Sequence, residues 1–298
     1  MPSRNIWFAF AGVLIAGILI FAIWLVVDHN HQAAGHDSGM ESPISAPPAD
    51  ATVPQPNATP VNTPPTPAAS QGNSPTPEQQ PGGLPVVCID PGHPSEVNTA
   101  TTVQHGLKEV EVVYDVAQKL RAILEEQKIA QVVMTRNFRS YTGKIVSNKE
   151  RAEIANAHGA ILFLRLHCDT GNGEGFTLYY PDRPARKGNV TGPPAAVCQA
   201  SAKAADALHQ GMVDTLCSNN PGITIRDNGV KPDSATFVGG KQGALTGSIY
   251  SQVPTVTVEM VYLSNAADAK LIGSDDGKNL FAEALSYGIT NYLSELKK

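Results

Sequence analysis

Apolar residues follow two alternating patterns along the second two-thirds of this chain. Short unbroken runs rich in β-branched residues occupy 84–90, 130–135, 160–167, 175–180 and 254–260, and each reads as a strand. Between them, apolar positions recur at helical spacing over 108–127, 147–157, 194–217 and 277–296. In the first of these helices Val112, Val116, Leu120, Ile123 and Leu124 line one side. Such alternation predicts an α/β domain: a mixed, mostly parallel, twisted sheet with helices on both faces. Three Gly- and Pro-rich stretches, 91–106, 181–193 and 219–250, read as long loops and therefore as binding surfaces.

The amino-terminal part is patterned differently. Ile6 to Val27 is 22 residues without a charge, preceded by Arg4 and followed by Asp28. That length spans a bilayer as one transmembrane helix, whereas a cleaved signal peptide has an apolar region of only about 7 to 15 residues. The positive amino flank orients the anchor with its start inside, so everything after it lies outside the cytoplasm, membrane-anchored by a single pass. From Asp28 to Gly83 the sequence is dominated by Pro, Ala, Ser and Thr, as in Thr63-Pro64-Pro65-Thr66-Pro67. Such a segment buries too little apolar surface to offset its ordering entropy, and reads as a disordered Pro-rich linker with an r.m.s. span of at least about 45 Å, more given its proline content. The expected organisation is thus an anchor over 1–27, a linker over 28–83 and one domain over 84–298.

Composition narrows the partners. With 42% hydrophobic and 16% charged residues and a formal net charge of −5, the chain lacks the basic stripe that nucleic-acid binding requires. An exported location permits disulfides, but Cys198 and Cys217 bracket one continuous helical pattern and lie too far apart to bond. Cys88 and Cys168 sit near the ends of two expected strands, and their pairing is left open beside the reading of free buried thiols. No Cys-x-x-Cys is present, so a thiolate metal site has no support.

The chemistry gathers where strands end. Open α/β sheets bind ligands beyond the carboxyl ends of their strands, and three apolar runs here end in Asp90-Pro91-Gly92-His93, His167-Cys168-Asp169 and Glu259-Met260. A hydrolytic zinc site takes three ligands from His and carboxylate and leaves a position for water. His93 and His167 supply two imidazoles; Glu109, Glu111, Asp90 and Asp169 compete for the third place. Glu259 closes a strand of central character and is either the general base and acid or a structural carboxylate. Other schemes fit less well. No Gly-x-Ser-x-Gly elbow exists, and Cys168 and His167 point to opposite faces of their strand, so neither a serine nor a thiol nucleophile is supported. A two-carboxylate glycosidase built on Glu109 and Glu259 would leave both histidines unexplained.

Four ordered motifs now coincide with a known family. Val87-Cys88-Ile89-Asp90-Pro91-Gly92-His93, Gly106-Leu107-Lys108-Glu109, Leu166-His167-Cys168-Asp169 and Val258-Glu259-Met260-Val261-Tyr262-Leu263-Ser264-Asn265 resemble the zinc-dependent N-acetylmuramoyl-L-alanine amidases of the Amidase_3 type. Thr135-Arg136 and Arg151 with Ala155-Asn156 are further landmarks, and the likeness covers nearly all of 84–298. The resemblance implies hydrolysis of the peptidoglycan amide between N-acetylmuramic acid and L-alanine, with His93, Glu109 and His167 holding Zn²⁺ and Glu259 acting as base and then acid. It selects Glu109 over Glu111, since the offset to Val116-Ala117 fits the family helix. Peptidoglycan and the membrane are then the expected partners, with a protein activator as a third. A non-catalytic peptidoglycan-binding regulator of the same fold, and a zinc peptidase cutting within the stem peptide, are the alternatives. Two departures from the family pattern stand out: Pro94-Ser95-Glu96 replaces a second glycine after His93, and Arg165 replaces a serine before His167. Arg165 shares a face with His167, which predicts substrate binding through a stem-peptide carboxylate, or a pair with Asp169, or else a structural salt bridge. Asp169 is the second expected substrate contact.

Overall fold

A computed structural model describes residues 83–218 and 222–297. The anchor expected at 1–27 and, but for its last residue, the linker expected at 28–83 lie outside them. Among the described residues no helix is long and apolar enough to cross a membrane.

Six strands form the central sheet: β1 (Val86–Pro91), β4 (Gln131–Met134), β5 (Leu162–Asp169), β6 (Phe176–Tyr180), β9 (Asp227–Pro232) and β10 (Thr255–Tyr262). Their order is β4-β1-β5-β10-β6-β9, and β6 alone runs antiparallel to the neighbour that precedes it, β10. Every other adjacent pair is parallel, so the sheet is mixed and mostly parallel. Alternate residues of each strand divide between two cores. Val87, Ile89, Leu164, Leu166, Val256 and Val258 face helices α1 (Glu109–Glu126), α3 (Ala195–Met212) and α7 (Asp275–Glu295). Cys88 and Phe163 face α2 (Asn148–Ala157), where Ala152 and Ala155 let the helix approach closely. Helices therefore cover both faces. The apolar positions expected on α1 are buried there, apart from Ile123, which is half-buried, and each fully buried Val or Leu stabilises by about 1.5–3 kcal/mol.

The three expected loops contain more structure than their composition suggested. A two-residue hairpin, β2 (Val103–Gln104) to β3 (Leu107–Lys108), leads into α1; its turn residues His105 and Gly106 both take positive φ. A second hairpin, β7 (Ala185–Lys187) to β8 (Val190–Gly192), occupies the 181–193 stretch. The 219–250 stretch supplies the edge strand β9, a 3₁₀ turn at Asp233–Ala235, and two short helices, α4 (Phe237–Gln242) and α5 (Thr246–Tyr250). Helix α6 (Ala266–Gly273), between β10 and α7, was likewise not expected; Asn265 caps it through the N–H groups of Ala267 and Asp268. The helix expected over 194–217 ends as an α-helix at Met212 and continues as a π-helical segment to Ser218.

All four cysteines are free thiols. Cys88 and Cys168 face opposite sides of the sheet, which answers the open question of their pairing.

Candidate active site

Parallel register puts the chemistry on one face of the sheet. Asp90 on β1, Arg165 on β5 and Thr257 on β10 are neighbours in one row, and His167 pairs with Glu259 in the next row toward the strand ends. Above this row three donor atoms converge. His93 Nε2 and His167 Nδ1 each lie 3.2 Å from Glu109 Oε1, and the two imidazoles meet edge to face at 4.8 Å between centroids. One ligand atom from each of the three residues falls within 4.8 Å of the others.

Each member has a physical reason for its place. His93 follows a turn whose Gly92 N–H donates to Leu166 O at 2.9 Å, tying the end of β1 to β5. A Cβ on Gly92 would stand 2.4 Å from the His167 ring, so glycine is what admits the second imidazole. His93 Nδ1 is 3.1 Å from Asn98 O; a donated proton there leaves Nε2 with its lone pair toward the cluster. Glu109 opens α1, its Oε1 accepting the Cys168 N–H at 3.2 Å. Burial works against the Glu109 carboxylate, yet His93 and His167 outweigh it and hold its carboxyl well below the usual range. Burial pushes His167 down to about 4, leaving a neutral imidazole at neutral pH. Glu259 faces this group across the sheet, and its Oε2 is buried without a hydrogen-bond partner. Its pKa is raised well above the ordinary value, first by burial and then by the charges of Glu109 and Asp169, with Arg165 opposing.

The structure also separates the rival carboxylates. Asp90 is fully buried, and its carboxylate is consumed by Arg151 Nη1, Thr135 Oγ1 and Arg165 Nε, the last at 2.9 Å. Glu111 lies two residues past Glu109 on the outer side of α1, bound by Arg139 at 2.8 Å and Ser140 at 3.0 Å. Neither joins the cluster. Asp169 ends β5 on the His167 face, where Tyr262 pairs with it and Thr170 N–H donates to its Oδ1 at 2.7 Å.

Arg165 does not take the substrate-binding place expected of it, nor does it pair with Asp169. Of the three readings open for it the structural salt bridge is the one found, for it turns inward with its side chain 5% exposed, donating to Asp90 and, at 2.7 Å, to Asn148 Oδ1. Asp90 supplies the nearer anion and Gly247 packs against the guanidinium, so the geometry assigns Arg165 to the structural ion pair. A supporting residue left without a role by its sequence is Arg136. Its buried guanidinium donates to Pro91 O at 2.9 Å, Gly92 O at 3.1 Å and Val110 O at 2.7 Å, bracing the His93 turn against the first turn of α1. Burial and the neighbouring Arg151 lower it to about 10, which leaves it cationic at neutral pH.

Known proteins share this arrangement of elements. Residues 87–291 match the Amidase_3 family, described as N-acetylmuramoyl-L-alanine amidase. The chain is 25% identical over 249 residues to N-acetylmuramoyl-L-alanine amidase AmiA of Escherichia coli (strain K12), covering 75% of this chain and 81% of that protein. Among solved structures, the apo form of the amidase Ami1 from Mycobacterium abscessus aligns with a TM-score of 0.55 at 23% identity, covering 71% of this chain and 99% of that one. The CwlD amidase from Clostridioides difficile, in complex with the GerS lipoprotein, aligns with a TM-score of 0.52 at 20% identity, again over 71% and 99%.

Proposed function

This chain belongs to the Amidase_3 family of N-acetylmuramoyl-L-alanine amidases, hydrolases acting on amide bonds, and from that premise we propose that it cleaves the peptidoglycan amide between N-acetylmuramic acid and L-alanine at the centre formed by His93, Glu109, His167 and Glu259. One observation carries the reading: two imidazoles and a carboxylate converge on a space facing a glutamate whose buried Oε2 has no partner. The donor set fits zinc, being two nitrogens and one oxygen, from the loop after β1, the start of α1 and the end of β5, with the His93 ring oriented by Asn98 O. Bound there, Zn²⁺ would polarise the scissile carbonyl and acidify the attacking water.

The remaining work falls to the chain. Glu259 Oε2 takes the proton of the attacking water and then delivers it to the departing alanine nitrogen, a double duty suited to a carboxyl whose pKa is raised. Glu109 would be the single anion among the three ligands. Asp169 and the phenol of Tyr262 line the outer rim, where the substrate chain would enter. An anchor over 1–27 and a linker over 28–83 would hold the domain on the outer side of the membrane within reach of the cell wall. The complex of CwlD with a lipoprotein motivates the further reading that a protein activator acts on this domain.

Purified sacculi provide the test. The wild-type chain should release new L-alanine amino termini, lose that activity on chelation and regain it with Zn²⁺. Glu259→Gln, close to isosteric, should keep zinc affinity and lose turnover by at least a thousandfold. Internal stem-peptide amino termini would instead indicate a peptidase, and no new termini a binding protein. Retained turnover in the Gln variant would overturn the role of Glu259.

A further inference from the structure

A cavity of about 300 Å³ opens beside the candidate centre, lined by Gly173, Glu174, Arg226, Asn228, Tyr262 and neighbouring asparagines. It lies at the same end of the sheet. Tyr262 lies past a bulge beyond Glu259 on β10, so it pairs with Asp169, two residues after His167 on the same face of β5 and about 7 Å further along the sheet. That separation equals the reach of about two extended residues, which brings the third residue from the scissile bond over the cavity.

The floor of the cavity is rigid. Asp268, only 5% exposed, accepts the N–H of Gly175 at 2.7 Å and that of Tyr262 at 2.9 Å through one oxygen, pinning the turn before β6 to the end of β10. Ser264 repeats the link, accepting Gly171 N–H at 2.9 Å and donating to Gly171 O at 2.7 Å. The Tyr262 ring lies so close to Gly173 that a Cβ there would stand 2.3 Å from it. Asn228 Nδ2 donates to Glu174 O at 2.8 Å, bringing β9 into the same wall.

The rim, by contrast, is charged and loosely held. Arg226 and Glu174 face each other at 3.4 Å with side chains 64% and 53% exposed. An exposed pair of this kind contributes little, so both groups can exchange each other for a ligand at small cost. A guanidinium and a carboxylate side by side complement a group that carries a carboxylate and an ammonium together, while the asparagine amides suit a peptide backbone.

We propose that this cavity is a specificity subsite for the third residue of the stem peptide, a diamino acid whose carboxylate pairs with Arg226 and whose ammonium pairs with Glu174. The assignment rests on the amidase reading above and deepens it by naming the part of the substrate recognised away from the scissile bond.

Two measurements on the full chain test it. In the first, kcat/KM is compared for N-acetylmuramoyl-L-Ala-D-Glu-meso-diaminopimelate and the truncated N-acetylmuramoyl-L-Ala-D-Glu. The wild type should prefer the longer substrate, and Arg226→Ala should cut that preference about tenfold through KM; Glu174→Gln should reduce it less. A preference equal in wild type and Arg226→Ala would overturn the subsite while leaving the amidase reading intact. The second is calorimetric titration of the free tripeptide, which needs no turnover. Should the chain cut neither substrate, the amidase reading fails, and the subsite still stands if the wild type binds the tripeptide at least tenfold more tightly than Arg226→Ala. Equal binding, or none, would overturn it.

Discussion

Asp90→Ala should be among the most destabilising single substitutions in this domain. Its carboxylate is fully buried and serves three buried partners: Arg151, whose side chain is 0% exposed, Arg165 at 5%, and Thr135. Removing the anion strands two guanidinium groups in a low-dielectric interior, a change that costs about 3–5 kcal/mol when one partner of a buried pair is lost. Against a typical total of about 5–15 kcal/mol, that is a large share of the stability. With a urea m-value near 2–3 kcal/mol/M, the unfolding midpoint should fall by about 1–2 M. Asp90→Asn, which keeps a hydrogen-bond acceptor, should fall in between. The pH dependence gives a second handle. Burial works to raise the Asp90 pKa, but Arg151, Arg165 and Thr135 outweigh it and hold the carboxyl well below its usual range, so the unfolded chain takes the proton first. The stabilisation is thus complete above the unfolded value of about 3.9 and is lost as pH falls below it. Chemical unfolding at pH 7, 5 and 3 should show the gap between wild type and Asp90→Asn narrowing toward acid. An unshifted midpoint for Asp90→Ala, or a gap that stays constant down to pH 3, would refute the assignment.

Two further substitutions probe other links. Gly92→Ala places a methyl 2.4 Å from the His167 ring and must displace it, so zinc affinity measured against a chromogenic chelator should drop at least tenfold; unaltered affinity would mean that the ring need not sit there. Asp233 is buried, and burial raises it to about 6 against the opposing Leu245 N–H, which donates to its Oδ2 at 3.0 Å. A raised folded pKa stabilises below the unfolded value and loses that contribution as pH rises through about 6, so Asp233→Asn should raise Tm by a few degrees at pH 8 and have little effect at pH 4. Calorimetry showing the opposite order would contradict this sign.

The parts of this fold that were legible in sequence are those with a single dominant force. The apolar runs of β1, β5 and β10 are buried on both faces, so hydrophobicity alone marks them, and the α1 stripe follows one helical period. His93, His167 and Glu259 were legible for a related reason, since a polar residue at the end of such a run has few structural uses, whereas Glu109 was singled out among four carboxylates only by the family resemblance. β9 was missed because Asp227-Asn228-Gly229-Val230-Lys231-Pro232 is a half-exposed edge strand held by backbone pairing to β6, and its side chains carry no alternation. Glu111 and Glu109 differ in sequence only by two positions; what separates them is which side of α1 meets β5, a tertiary fact. Asn98 supports His93 through a backbone carbonyl, which any residue possesses, so no sequence signal could have identified it.

The two departures from the family pattern become one feature in three dimensions. Pro94-Ser95-Glu96 replaces a glycine after His93, and Arg165 replaces a serine before His167, more than sixty positions away. In the fold, Glu96 Oε2 accepts the Asn148 N–H at 2.9 Å, and Asn148 Oδ1 accepts Arg165 Nη2 at 2.7 Å. Pro94 O meanwhile accepts Val146 N–H at 3.1 Å and Arg151 Nη2 at 2.8 Å. Residues 94–96 are therefore stitched to the start of α2, and α2 to the buried Asp90 cluster, in a chain of contacts that ends on Arg165. His93 sits at φ 54, a left-handed conformation that is costly for a side chain with a Cβ and persists only where surrounding contacts over-determine it. These contacts supply that determination. A smaller residue at 165 would leave Asn148 without its donor and loosen Glu96. The substitution before the second imidazole thus holds the loop that carries the first.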